Sequence, residues 1–152
     1  MKIELRTIDH TNMDDVISLE VFDHQKAFIA SNLRSIETAQ EEEHRNIARP
    51  FAIYAEDNLV GFCMFAFEPE AEDEEDRYWL WRFMIDRKEQ GKGYGQAALD
   101  EIISYFRDHG ANQIFLSTEP ENECGLHVYH KAGFQETGEF NDDEAVLKLI
   151  LS

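Results

Sequence analysis

A chain of 152 residues, 43% of them hydrophobic, is long enough for one ordinary domain with a sizeable core. Its 32 acidic residues against 14 Lys and Arg give a formal net charge of −18, which disfavours nucleic acid and anionic membranes as partners and favours a cationic one. No apolar run reaches the roughly 20 residues that cross a bilayer, and the first residues lack the apolar segment of a secretory signal. We therefore expect a cytoplasmic protein with no membrane or nucleic-acid partner.

The first half of the chain combines helical segments with a hairpin. A first strand is predicted at residues 2–5, and helical segments are predicted at 11–20, 24–30 and 35–44. After Pro50 the apolar residues alternate, which predicts two strands, 51–56 and 59–67, joined by a turn at Asp57 and Asn58.

The second half begins with residues 77–86, which are apolar at nearly every position and predict a strand buried on both faces. A glycine-rich stretch follows, and then a helix that Gly110 ends. The apolar face of this helix is formed by Leu99, Ile102, Ile103 and Phe106. The remaining segments are a strand at 113–119, a short helix at 121–133 and two paired strands at 134–140 and 144–151. We find no repeat or linker and expect a single domain, residues 1–152.

The glycine-rich stretch is "EQGKGYGQ", residues 89–96, between a predicted strand and a helix. The first amides of a helix have no partners and carry a partial positive charge, and glycines let a phosphate approach them. The spacing differs from the G-x-G-x-x-G of dinucleotide loops and from the G-x-x-x-x-G-K-[ST] of nucleotide P-loops. It matches Q-x-x-G-x-G through Gln90, Gly93 and Gly95. A tight turn without a ligand is the alternative.

The Q-x-x-G-x-G pattern resembles the pyrophosphate-binding loop of the GNAT acetyltransferase superfamily, whose members bind acetyl-CoA. A second signature lies downstream, where Asn122 precedes Tyr129 by seven residues and Gly133 and Phe134 open the next strand. The order of elements is similar to that superfamily along essentially the whole chain. The resemblance implies an α+β fold with a mixed central sheet, flanked by helices and splayed at its middle. Within the superfamily, the acidic insertion at residues 68–76 and the strand after it resemble bacterial spermine/spermidine acetyltransferases.

The resemblance also assigns residues to acetyl-CoA. Backbone groups of Phe83, Met84 and Ile85 would pair with the pantetheine arm. The pyrophosphate would lie against Gln90, Gly91, Lys92, Gly93, Tyr94, Gly95 and Gln96. Asn122 would hydrogen-bond the pantetheine, and Lys131 would lie near the phosphates of the coenzyme.

For catalysis, the resemblance places Tyr129 beside the sulfur, where a phenol can protonate the thiolate that leaves when an amine attacks the thioester. The acceptor amine would bind beside Trp81, whose ring can hold a cation, and beside part of the acidic insertion. The acids assigned to this role are Glu70, Glu72, Asp73 and Glu75. Trp81 stands where related polyamine enzymes carry a carboxylate, so the sequence does not identify the base.

Three alternatives stay open. The acidic run is also consistent with a solvated loop that binds nothing. A second alternative is that the acceptor is a protein N-terminus or another small amine. A third is that the domain binds acyl-CoA as a sensor without turnover. Many relatives in the superfamily are dimers, so the resemblance implies a homodimer.

No metal site is expected. Cys124, His127 and His130 recur at every third residue of one predicted helix, but steps of three drift around a helix, so the three side chains do not share one face. The acidic run lacks the ligand register of a calcium loop. Cys63 and Cys124 are too few for a disulfide framework, and neither has a recognisable histidine and acid partner, so we expect no thiol nucleophile.

Overall fold

The structure, a computed structural model, describes residues 2–26, 31–41 and 43–151. The strands in these residues are β1 (Ile3–Thr7), β2 (Ala48–Ala55), β3 (Asn58–Phe67), β4 (Tyr78–Ile85), β5 (Gln113–Thr118), β6 (Gln135–Asn141) and β7 (Glu144–Ile150). The α-helices are α1 (Met13–Ser18), α2 (Asn32–Gln40), α3 (Tyr94–Asp108) and α4 (Glu123–Ala132). Within the described ranges, every helix is too short or too polar to span a membrane.

The strands form one mixed sheet in the order β1-β2-β3-β4-β5-β7-β6, which confirms the predicted α+β fold. Neighbouring strands are antiparallel except β4 and β5, which run parallel. These two strands share one registered pair, Trp79 with Phe115, near their N-terminal ends. Since their later residues do not pair, the sheet opens into a wedge toward the C-terminal ends of β4 and β5.

One face of the sheet carries the main core beneath α3 and α4. The apolar side of α3 presents Leu99, Ile102 and Phe106 at helical spacing, and these side chains pack with Phe65 of β3 and Leu147 of β7. All five side chains are fully buried, and each contributes about 1.5–3 kcal/mol relative to an exposed position. The predicted helix and its apolar face are confirmed.

The other face carries a smaller core beneath α1 and α2. Val16 of α1 and Ile36 of α2 pack against Phe62 and Met64 of β3. Because alternate residues of β3 enter the two cores, β3 is buried on both faces along most of its length.

The strand at 77–86, which is β4, was predicted to be buried on both faces, and this prediction is wrong for several of its side chains. Trp79, Trp81, Arg82 and Phe83 are only half-buried. Their burial is incomplete because β5 diverges from β4 after Trp79 and leaves that side of the strand open.

The helical segments before β2 differ from the prediction. In segment 24–30, residues 27–30 lie outside the described residues, and Asp23–Gln25 form a single turn of 3-10 helix. The segment predicted at 35–44 is α2, which begins and ends earlier. Its start is set by Ser31, whose hydroxyl oxygen accepts from the Arg34 amide at 3.2 Å.

The hairpin turn lies one residue earlier than predicted. Glu56 and Asp57 form it, with φ angles of 49° and 71°, whereas Asn58 already belongs to β3. Two consecutive positive φ angles are typical of the type I′ turn, whose twist matches that of the flanking strands.

Candidate active site

The wedge between β4 and β5 is a cleft of about 830 Å³. Its walls are residues 79–85 of β4, residues 116–118 of β5, the glycine-rich loop, α4 and the first residue of β7. Because β4 has no partner strand beyond Trp79 on this side, backbone N–H and C=O groups of its second half face the cleft. The splayed sheet inferred from the sequence is confirmed.

The glycine-rich loop closes one end of this cleft. Gly91 and Gly93 have φ angles of 81° and 86°, a region that glycine adopts without strain. The first hydrogen bond of α3 runs from the Ala97 amide to the Gly93 carbonyl at 3.2 Å, so the preceding amides have no intrahelical acceptor. Gly93, Gly95 and Gln96 line the cleft. The start of α3 therefore presents free donors and a partial positive charge to it.

The side chain of Gln90 holds this loop in place. Its Nε2 donates to the Ile85 carbonyl at 3.0 Å and to Gln25 Oε1 at 2.9 Å, and Gln25 Nε2 donates back to Gln90 Oε1 at 3.1 Å. Gln25 is buried, so removing the Gln90 side chain would leave Gln25 Nε2 without its described acceptor, at a cost of about 1–3 kcal/mol. The side chain of Gln90, assigned to the pyrophosphate, is thus already engaged, and Gln25 is a supporting residue that sequence reasoning missed.

Gln90 lines the cleft, but two residues of the set assigned to the coenzyme do not. Lys92 is exposed and pairs with Glu89 at 3.0 Å, and Tyr94 packs against the main core. All the remaining residues assigned to acetyl-CoA, from β4 to Lys131, line the cleft. The structure therefore brings most of that set together.

Asn122 fixes the start of α4. Its Oδ1 accepts from the Gly125 amide at 3.2 Å as an N-cap, and its Nδ2 donates to Thr118 Oγ1 at 3.0 Å. A Cβ at Gly125 would lie 2.5 Å from Asn122 Nδ2, so the cap requires glycine there. These contacts tie α4 to the end of β5 and place Asn122 on the cleft wall.

Tyr129 lies on the side of α4 that borders the cleft. Its half-buried ring lies 6.4 Å from the ring of Phe83 and 6.0 Å from that of Phe134, measured between centroids. Burial raises the pKa of the Tyr129 phenol well above its ordinary value, and nearby Cys124 and Glu144 act in the same direction. The phenol therefore keeps its proton at neutral pH, as a proton donor requires.

Trp81 forms a β-bulge in β4, the wall of the cleft that faces α4. The register between β3 and β4 shifts between Met64 and Phe65, which leaves Trp81 as the extra residue on β4. The indole contacts the ring of His44 edge-on, with centroids 5.4 Å apart, and also borders the cleft. The bulge changes the direction of the side chains that follow it on β4.

Arg82 brings a positive charge to the cleft that sequence reasoning did not use. Its Nε donates to Ser35 Oγ at 3.2 Å, and another guanidinium nitrogen donates to the Trp81 carbonyl at 2.9 Å. Burial lowers the pKa of Arg82, and the nearby Glu144 carboxylate opposes this shift. The guanidinium thus spans from β4 to α2 along one wall.

The acidic run lies at the edge of the cleft and not in its wall. The four acids assigned to the acceptor, Glu70, Glu72, Asp73 and Glu75, are all exposed and do not line the cleft. Two side chains hold the loop against β4: Arg77 Nε donates to the Ala71 carbonyl at 2.8 Å, and Trp79 Nε1 donates to the Glu75 carbonyl at 2.7 Å. Trp79 itself lines the cleft. The structure therefore brings Trp81, but not the four acids, to the cleft.

Glu144 is a candidate functional residue that sequence reasoning missed. Of the described residues that line the cleft, it is the one with a carboxylate, and its Oε1 accepts from Ser117 Oγ at 2.6 Å. Its local sequence, next to two other acids in a turn, gives no signal of this role. Only the pairing of β7 with β5 places Glu144 beside Ser117.

The histidines and cysteines of α4 do not gather into one cluster. Cys124 and His127 line the cleft, whereas His130 Nε2 lies 2.7 Å from Glu136 Oε1 on β6. In the part of the chain that the structure describes, one other group, Glu41, Glu43 and His44, has its potential ligand atoms within 4.8 Å of one another. That group does not line the cleft.

Comparison with known proteins agrees with this architecture. The family model described as Acetyltransferase (GNAT) family matches residues 13–134. The chain is 31% identical, over 97% of its length and 99% of the relative's, to the spermine/spermidine N(1)-acetyltransferase of Bacillus subtilis (strain 168). Two solved structures share the fold at 19% identity and a TM-score of 0.72. They are the PaiA N-acetyltransferase of Thermoplasma acidophilum with coenzyme A (99% of both chains covered) and the spermidine N-acetyltransferase of Vibrio cholerae with CoA and spermine (97% and 95% covered).

The chain belongs to the GNAT acetyltransferase family. It is an acetyl-CoA-dependent N-acetyltransferase, which confirms the resemblance drawn from the glycine loop and the α4 signature.

Proposed function

We propose that the enzyme transfers acetyl directly, in a ternary complex, from acetyl-CoA to a primary amine of a polyamine such as spermidine or spermine. The observation that carries the proposal is the cleft between β4 and β5, with free helix amides at one end and Tyr129 on its wall. The polyamine class is supported by the relative that is 31% identical over 97% of the chain and by the net charge of −18.

The residues of the cleft suit acetyl-CoA. The amides at the start of α3 would hold the pyrophosphate, as helix N-termini hold anions, and Lys131 would add a positive charge near the phosphates. The open edge of β4 at residues 83–85 would pair with the amides of the pantetheine arm, as a sheet edge pairs with an added strand. Asn122 retains hydrogen-bonding capacity beyond its two contacts and would bind the same arm. The coenzyme supplies a thioester whose thiol leaves as a thiolate.

Tyr129 is the proposed catalytic acid. Its phenol borders the cleft and holds its proton at neutral pH. Donation of that proton to the leaving sulfur would stabilise charge that appears only during transfer, and such a contribution raises kcat more than substrate binding.

Trp81 and the acidic run are proposed to bind parts of the polyamine away from the reacting nitrogen. The indole borders the cleft and offers a ring face to an ammonium group. Glu70, Glu72, Asp73 and Glu75 lie beyond Trp79 at the edge of the cleft, where their exposed carboxylates would attract the distal charges of a long cation.

The proposal is tested by measuring CoA release with a panel of acceptors at equal concentration. The panel contains spermidine, spermine, a diamine, a peptide with a free N-terminus, an aminoglycoside and several amino acids. We expect the highest kcat/KM for a polyamine, by about tenfold or more, as expected when an additional charged contact is made. A higher kcat/KM for the peptide would contradict the polyamine class, and tight CoA binding without turnover of any amine would instead indicate a sensor.

Arg82 favours a second candidate, a small amine that also carries an acidic group. A half-buried guanidinium in the cleft suits a carboxylate, and it repels a polycation. In the same panel, this candidate predicts that an amino acid exceeds spermidine, and that Arg82→Gln abolishes the preference.

A cytoplasmic location, a homodimer and a single N-acetyltransferase domain over residues 1–152 complete the proposal. The two free cysteines, Cys63 and Cys124, are consistent with a reducing compartment. Sedimentation equilibrium of the purified chain tests the dimer.

A further inference from the structure

We propose that Glu144 binds the ammonium group of the acceptor inside the cleft, next to Tyr129. The inference rests on the proposed function in that it requires an amine acceptor, but it does not require a particular polyamine. It assigns the binding site of the ammonium, whose nitrogen attacks only once it has lost a proton to solvent, to β7, outside both the acidic run and β4.

The position of Glu144 is fixed by non-local pairing. It is the first residue of β7, and β7 pairs with β5 from Gln113 to Thr118. The Ser117 hydroxyl donates to Glu144 Oε1 at 2.6 Å, which orients the carboxylate and uses one of its acceptor positions. Several lone pairs of the carboxylate therefore remain for a ligand in the cleft.

Glu144 forms no ion pair with a described residue, because the Arg82 guanidinium that it influences lies beyond 4.0 Å. No described Lys, Arg or His nitrogen lies within 4.0 Å of its carboxylate, although the side chain is half-buried. A partly desolvated, unpaired carboxylate is costly unless a cation or several donors compensate it. A primary ammonium supplies both a positive charge and three donors in a compact group.

The surroundings of Glu144 support this ligand at this point of the cleft. Glu144 lines the same cleft as Tyr129 and Arg82, and its carboxylate acts to raise the pKa of each. A nitrogen held by Glu144 would therefore lie in the same cleft as the phenol that is proposed to protonate the leaving sulfur. Arg82 on the opposite wall would keep the distal positive charges of a polyamine away from this point and toward the acidic run.

The test compares Glu144→Gln with wild type, using spermidine as the probe. Gln keeps the size of the side chain and one acceptor oxygen for Ser117 while it removes the charge, so the fold and the affinity for CoA should not change. Spermidine KM should rise roughly 10- to 100-fold, as expected for loss of a hydrogen-bonded charge contact, while acetyl-CoA KM stays within about twofold. Calorimetric titration of spermidine into the CoA-bound protein should show the same loss of affinity without turnover.

Two further variants complete the experiment. Asp143→Asn removes a charge from the preceding, exposed residue and should behave as wild type. Glu144→Asp keeps the charge on a shorter side chain and should recover part of the affinity that Gln loses. Wild-type affinity for spermidine in Glu144→Gln, or an equal loss in Asp143→Asn, would overturn the assignment. The proposed function fails separately, if wild type itself acetylates no amine.

Discussion

At the scale of single residues, Tyr129 shows how a common side chain becomes suited to proton donation. An exposed phenol has a pKa of about 10 and also keeps its proton at neutral pH. Burial raises the pKa of the Tyr129 phenol further, and nearby Cys124 and Glu144 act in the same direction. The half-buried ring packs beside Phe83 and Phe134, which limits its orientations, as donation of a proton to one atom requires.

We predict that Tyr129→Phe lowers kcat about 100-fold or more, with less than a threefold change in either KM, because the hydroxyl acts on charge that develops only during transfer. Since the pKa of Tyr129 is raised, the wild-type kcat should show no falling limb near pH 10, the ordinary range of a phenol. Steady-state kinetics across pH measures the loss of kcat in the variant and the pH dependence of the wild-type kcat. An unchanged kcat in the variant would exclude Tyr129 as the acid, whereas a falling limb near pH 10 that Tyr129→Phe removes would show that the pKa of Tyr129 is not raised.

At the scale of elements, the glycine loop and the start of α3 form one unit for anion binding. Glycine is needed at Gly91 and Gly93 for the left-handed backbone, but Gly95 is already helical. The nearest atom to a Cβ built on Gly95 is Ile85 Cγ1 at 3.8 Å, an ordinary contact. The fold alone would therefore accept a side chain at Gly95, whereas a ligand held against the amides would not.

We predict that Gly95→Ala weakens CoA binding about tenfold or more without lowering the melting temperature, because the methyl group occupies the approach to the helix amides. Gly110→Ala is the matched control at the other end of α3. Gly110 has a φ of 90° and no neighbour within 4 Å of an added Cβ, so alanine there should lower the melting temperature and leave CoA affinity unchanged. Calorimetry measures the affinity for CoA, and thermal unfolding measures the melting temperature. Unchanged CoA affinity in Gly95→Ala, with weaker CoA binding in Gly110→Ala, would show that the loop does not bind the coenzyme.

At the scale of the whole molecule, an excess of 18 negative charges attracts any cation, so a local effect of the acidic run has to be separated from the general field. The run is exposed, and attraction between exposed charges is screened over about 8 Å at physiological salt. Hydrogen bonds from Arg77 and Trp79 anchor the run at the edge of the cleft.

We predict that replacing Glu70, Glu72 and Glu75 by Gln and Asp73 by Asn raises spermidine KM and flattens its increase with salt, with kcat and acetyl-CoA KM nearly unchanged. The matched control neutralises four exposed acids elsewhere, Asp100, Glu101, Asp108 and Glu139, and so makes the same change in net charge. Kinetics at two ionic strengths distinguish them. Equal effects in both variants would show that the run acts only through the net charge. No effect in either variant would show that the run is a solvated loop that does not bind the acceptor.

The elements that the sequence predicted well depend on local rules. The apolar residues of α3 recur at helical spacing, so period and length were sufficient there. The alternation predicted for β3 gave the right strand but missed its burial on both faces. The glycine loop was found because left-handed angles require glycine at particular positions, whereas the capping role of Asn122 was seen only in the structure. Local rules failed at the hairpin turn, where adjacent polar residues were equally suitable, and at the start of α2.

The sequence by itself therefore determined the order of the elements, the glycine loop before α3 and the placement of Tyr129 on a short helix, and its resemblance to a known family gave the α+β class. Only the tertiary structure decided which side chains share the cleft. It brought Gln25 to Gln90, Arg82 to Ser35 and Glu144 to Ser117, and it left the four acids of the run outside. The physical reason is that these contacts join segments that are far apart in the chain. The cleft itself depends on the divergence of β5 from β4 and on the insertion of β7 between β5 and β6, which no local period or spacing encodes.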